Sequence, residues 1–211
     1  MKPLVTLAAA VVALGLTPLA RADGDPASDW LLSQPSFVPE DIGVPAAYTT
    51  QLNAVLSDAK ARGYEIRVAV IGTRYDMGSV YVDWLKPKRY VPFLSKELFF
   101  VYKGRVLVVM PNGLAVTDGG GKPAPAADRA LVDRLPAPGK DPAALATAAT
   151  HTVIALAANH GAIVALPKLG HVSGSTTNRD RVTLAAAALV VAALLGAGTF
   201  WRRRRTAATA A

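Results

Sequence analysis

The stretch Arg105–Gly121, RVLVVMPNGLAVTDGGG, decides the architecture. Val106–Met110 is a β-rich apolar run, and Leu114–Thr117 is a second one. Asn112-Gly113 stands between them. Both residues tolerate positive φ, so the dipeptide predicts a tight hairpin turn. Gly119–Gly121 and the KPAPAAD that follows predict a loop.

Upstream of the hairpin, YEIRVAVIGTRYD carries Ile66, Val68 and Val70 on one face of a strand and Ala69 and Ile71 on the other. A run apolar on both faces predicts a buried central strand. Before it, Tyr48, Leu52, Val55, Leu56 and Ala59 recur at spacings of three and four, which predicts a helix opened by Pro45 and closed near Gly63. After it, SVYVDWLKP predicts irregular chain or a short helical turn. Pro87 and Pro92 start a second helix that sets Leu94, Leu98 and Tyr102 on one face. A third helix is expected over Asp128–Leu135. A fourth, capped by Asp141-Pro142, is expected to end at Gly161. Residues 23–44 are rich in Asp, Pro and Ser and predict an extended lead-in with Trp30–Leu32 as an apolar island. No internal repeat is visible. Alternating helix and strand predict one α/β domain over residues 45–166, a small mixed β-sheet with flanking helices.

Two apolar segments bracket this domain. The first 22 residues hold Lys2, an apolar run from Leu4 to Leu19 and the small-x-small triplet Ala20-Arg21-Ala22. That is the layout of a signal peptide, with the mature chain expected to begin at Asp23. Val182–Trp201 is 20 residues without a charge. As a helix it reaches about 30 Å, the thickness of a bilayer's hydrocarbon. Trp201 suits the interface and Arg202–Arg205 mark the cytoplasmic side. A sortase signal would need an LPxTG-like motif, and the nearest stretch, LPKLG at 166–170, lacks the threonine. The expected layout is therefore an outside domain, a Gly/Ser/Thr-rich linker at 167–181, a single membrane span at 182–201 and a cytoplasmic basic tail at 202–211. The bilayer is then the first partner, and an envelope or membrane protein the second.

Charge supports this location over a nucleic-acid role. The net charge is +8, but residues 23–181 carry 17 Lys and Arg against 15 Asp and Glu. The excess sits beside the two apolar segments, and the body has no basic stripe to track a phosphate backbone. The chain has no cysteine, so an exported domain of this kind must stand on its apolar core alone.

The pieces LNAVLSDAKARGYEIRVAVI, FLSKELFFVYKGRVLVVMPNGLAV and DPAALATAATHTVIALAAN, in this order, resemble the TPM domain family over about residues 44–161. YKGRVLVVMPNG in particular looks like a membrane-anchored bacterial subgroup of that family. The resemblance implies an extracytoplasmic α/β domain, frequently with a signal peptide and a C-terminal span. It also implies, from some members, metal-dependent phosphatase-like hydrolysis, and from others a part in assembly or repair of membrane complexes.

Residues that could carry chemistry are few. Without cysteine there is no thiol catalysis and no zinc–thiolate site. His151, His160 and His171 match no metal-protease spacing, and no GxSxG elbow supports a serine triad. Gly119–Lys122 fails the phosphate-loop pattern because Pro123 follows the lysine. Open α/β sheets bind ligands beyond the carboxyl ends of their strands. Asp76 and Asp83 are thus the candidate oxygen ligands for a divalent cation, or else solvated loop carboxylates. Asn112, Asp118, Tyr75 and Trp84 are the candidate binding residues. Nothing in this set forms a catalytic constellation, and the expected function is a non-catalytic binding or accessory module.

Overall fold

A computed structural model describes residues 24–170. The expected leader at 1–22 and the expected span at 182–201 lie outside the described residues, as does most of the linker. No described helix is long and apolar enough to cross a membrane.

The fold is α/β, with a five-stranded mixed sheet in the order β1-β2-β3-β4-β5. In chain order the elements are α1 (Pro26–Leu31), β1 (Ser36–Phe37), α2 (Ala46–Ala61), β2 (Ile66–Val70), a 3-10 segment (Arg74–Asp83) and α3 (Pro87–Leu98). There follow β3 (Arg105–Met110), β4 (Gly113–Asp118), a 3-10 turn (Gly119–Gly121), β5 (Lys122–Pro123), α4 (Ala126–Asp133) and α5 (Pro142–Asn159). β1, β2 and β3 run parallel, and β4 lies antiparallel to both β3 and β5.

Side-chain alternation along the strands feeds two cores. Ile66, Val68, Val70, Leu107, Val109, Leu114 and Val116 meet α2, α4 and α5 on one face. Ala69, Ile71, Val106, Val108, Met110 and Ala115 meet α1 and α3 on the other. β2 and β3 are apolar on both faces because both faces are covered. The crossovers β1–β2 and β2–β3 step the same way along the sheet, yet α2 and α3 lie on opposite faces. They are therefore of opposite hand, and one departs from the right-handed rule. A two-residue β1 supplies little of the strand twist on which that rule rests.

Four sequence expectations change. Residues 23–44 are not simply an extended lead-in: they hold α1 and the edge strand β1. Asp25 caps α1 by accepting from the Ala27 N–H, and the Arg67 guanidinium donates to the Leu31 carbonyl at its far end. The hairpin forms, but its turn is Pro111-Asn112. Met110 pairs with Gly113, so Gly113 is already the first residue of β4, at φ 155°. Proline presets the first turn position, which moves the turn one residue ahead of the Asn-Gly dipeptide. The second helix stops at Leu98, before Tyr102, and the KPAPAAD loop contributes β5 as a short edge.

Candidate functional site

Five of the six residues singled out in the sequence lie in or next to the connection beyond the carboxyl ends of β2 and β3. Thr73 opens the 3-10 segment through a reciprocal cap with Asp76. Asp76 Oδ2 accepts from the Gly72 and Thr73 N–H groups at 2.8 Å each, and Oδ1 accepts from Thr73 Oγ1 at 2.9 Å. Asp76 is therefore buried and committed to the backbone, not solvated. Burial pushes its carboxyl above the usual carboxylate range, and the three hydrogen bonds pull against that shift.

Asp83 ends the same segment and is also buried. Arg89 Nε lies 2.8 Å from its Oδ1 as an ion pair. The N–H is not aligned on the oxygen, which is left without a hydrogen bond. Among the described residues no group of three or more acidic or histidine side chains is placed to hold a metal ion. A cation at Asp76 would have to displace backbone bonds that shape the segment.

Asn112 does more than turn the hairpin. Its Nδ2 donates to the Leu85 carbonyl at 2.6 Å. Leu85 sits at φ 59°, and among the described residues it is the only non-glycine with a positive φ. A bulky side chain in that region costs about 1–3 kcal/mol, so the surrounding structure must hold it there. Trp84, just before it, is half-buried against the α1/α3 core. Asp118 stands apart, at the other end of β4, where its carboxylate accepts from the Gly119 N–H and its carbonyl from Ser95 Oγ.

The outer surface of this connection is aromatic. Tyr75 is 78% exposed and Tyr81 51%. Val82 at 56% and Leu85 at 40% are further exposed apolar side chains of the same connection. The Arg74 guanidinium lies 5.5 Å from the Tyr75 ring centre and 5.4 Å from that of Tyr81. It bridges the two rings through cation–π contacts.

Sequence reading missed two buried carboxylates. Asp25 receives the Tyr90 hydroxyl at 2.7 Å on both oxygens, and burial pushes its carboxyl up to about 6. Asp128, wholly buried, accepts from Asn159 Nδ2 at 2.7 Å and meets His160 Nε2 at 2.8 Å. The His160 ring packs on Tyr64, 5.2 Å between centres. This pair ties the start of α4 to the end of α5. No serine or threonine hydroxyl among the described residues completes it into a triad. Only a helix-ending Asn-His following an acidic residue in the preceding helix hinted at it.

No family model, curated protein or solved structure matches the chain, so the reading of its surface rests on its own side chains.

Proposed function

We propose that the chain is a membrane-anchored extracytoplasmic domain that binds an envelope or membrane-protein partner without catalysing a reaction. The anchor is the apolar run Val182–Trp201, with Arg202–Arg205 holding the tail in the cytoplasm. The observation that carries the binding role is the ridge of Tyr75, Tyr81, Val82 and Leu85. It is exposed, drawn from one connection, and mounted on a capped backbone that loses little entropy on docking. Tyrosine and arginine are the residues that interfaces favour, because they bring large area and a polar handle together. Asp76, Asp83 and Asn112 are the frame of this surface: they cap, pair and brace the segment that displays it.

The test is photo-crosslinking in intact membranes, with the reactive side chain placed at Tyr81 and, for comparison, at Lys140. A discrete adduct from position 81 and none from 140 supports the ridge as the docking surface. No adduct from position 81 beyond that of an anchor-only chain sinks the proposal.

A further inference from the structure

The sheet has an outer edge that its own strands leave partly unpaired. β5 pairs only with Thr117 and Asp118, so Gly113–Val116 has no neighbouring strand on that side among the described residues. Which backbone groups point outward follows from one hydrogen bond. The Ile71 N–H donates to the Val109 carbonyl at 2.9 Å, so Val109 turns its polar groups toward β2. Alternation then turns Val108 and Met110 toward β4. Their partners Ala115 and Gly113 face back to β3. Leu114 is left with both its N–H and its C=O aimed away from the sheet, and Val116 with its N–H. The Val116 carbonyl is taken by the Ala124 N–H, because Thr117 pairs with Pro123, which has no N–H of its own.

The space beside this edge is a trench between α3 and α4. One cleft of about 280 Å³ is lined by Val91 and Pro92 of α3, Ala115 and Val116 of β4, and Arg129 and Val132 of α4. A second of about 460 Å³ continues it past Gly113 and Leu114 to Lys86 and Leu85. Lys88 and Asp133 line both and close the trench between them with an ion pair of 2.7 Å. Both partners are well exposed, so this latch is worth little and opens readily.

We infer that the outer edge of β4 takes up an extended acidic peptide as an added strand, lying between α3 and α4. An open edge supplies main-chain hydrogen bonds, and pockets beside it select alternate side chains. The rim selects the charge. Lys86, Lys88 and Arg129 line the two clefts against the carboxylate of Asp133, and Arg89 joins them with its charge already met by Asp83. An acidic side chain of the peptide takes Asp133's place on Lys88. A second folded copy does not fit, because its own β4 edge is walled by the same two helices. This site is separate from the aromatic ridge, and a peptide titration does not need the ridge's partner, so either idea can fail alone.

The experiment uses the full-length chain in a neutral detergent. The probes are two fluorescein-labelled decapeptides, one alternating valine and glutamate and the other valine and lysine. Saturable anisotropy with the glutamate peptide is expected, about tenfold or more tighter than with the lysine peptide. Amide exchange at Leu114 and Val116 is expected to slow when it binds. Lys88→Glu, an exposed change that leaves both cores untouched, is expected to abolish that preference. Val116→Pro, which removes an outward N–H, is expected to weaken both peptides if the variant folds. Equal affinity for the two peptides overturns the proposal. So does binding without protection of Leu114 and Val116, full protection of those amides in the free chain, or their protection by self-association alone.

Discussion

Asp25 shows how far one carboxyl depends on its surroundings. Burial raises it from an ordinary 3.8 to about 6, against the opposing hydrogen bonds from Tyr90 and Ala27. The charges of Asp29 and Glu97 push in the same direction as burial. A carboxyl raised on folding binds its proton more tightly in the folded chain. The stability it contributes is present below 3.8 and is lost as pH rises through about 6. The expected effect is on the order of 2 kcal/mol, so thermal unfolding should move upward as pH falls from 7 to 4.5. Asp76, raised for the same main reason, adds in the same sense. Asp25→Asn keeps a good helix cap and removes the titration. Its unfolding temperature should change clearly less with pH than that of the parent, and an unchanged slope would contradict the assignment. Asp128 makes a second test at this scale. Asp128→Ala leaves Asn159 and His160 without their acceptor, and a loss of about 2–4 kcal/mol is expected in denaturant unfolding. Neither carboxylate was legible in the sequence. Asp25 meets Tyr90 across 65 positions and Asp128 meets His160 across 32, and no local pattern encodes such a meeting. Asp76 and Asp83 were legible as a pair beyond a strand, but their burial was not, because it depends on how the 3-10 segment folds back.

At the scale of elements, legibility tracks length. β2, β3 and β4 run five or six residues, long enough for their β-branched apolar runs to show. The longer helices have enough turns to show an apolar face, and their ends agree with the sequence signals to within a few residues. β1 and β5 are two residues each, too short for any period to show. The 3-10 segment from Arg74 to Asp83 carries a kink at Gly78 and has no helical stripe. α1 escaped notice because it has one and a half turns, and because its cap at Asp25 is not followed by a long apolar repeat. Yet α1 is built in from three directions. Asp25 receives Tyr90, Arg67 reaches the Leu31 carbonyl, and the Gly24 carbonyl lies against Gly78. A Cβ placed on Gly78 would stand 2.1 Å from that carbonyl oxygen, and φ there is 49°. Gly78→Ala should therefore push residues 24–37 off the domain before it unfolds the rest. Limited proteolysis is expected to cut the variant first within that stretch, while α2 to α5 stay intact. An unaltered cleavage pattern would mean that the stretch does not depend on the Gly24–Gly78 contact.

For the whole molecule, the proposed location turns on the charges and the apolar segments. The domain body is nearly neutral, and the excess positive charge lies at residues 2 and 21 and at 202–205. Neutrality leaves no electrostatic reason for the described domain to sit flat on an anionic bilayer. The ridge at Tyr75–Leu85 and the trench beside β4 are then free to meet a partner. The tether carries the remaining constraint. If Val182–Trp201 spans the membrane with its arginines inside, every described residue lies outside. The chain should then stay in the membrane pellet after an alkaline carbonate wash. Protease added to intact cells or spheroplasts should remove an epitope tag placed at Lys140 and spare one placed after Ala211. Removing residues 182–211 should send the domain to the medium or periplasm still folded, since among the described residues the last buried side chain of its core is Val164. Replacing Arg202–Arg205 with serines should leave the chain in the membrane but mix its orientations, because those four side chains supply the basic flank after the span. A terminal tag digested from outside in the unaltered chain would reverse the topology. The ridge and the trench would then face the cytoplasm, and their partner would have to be sought there.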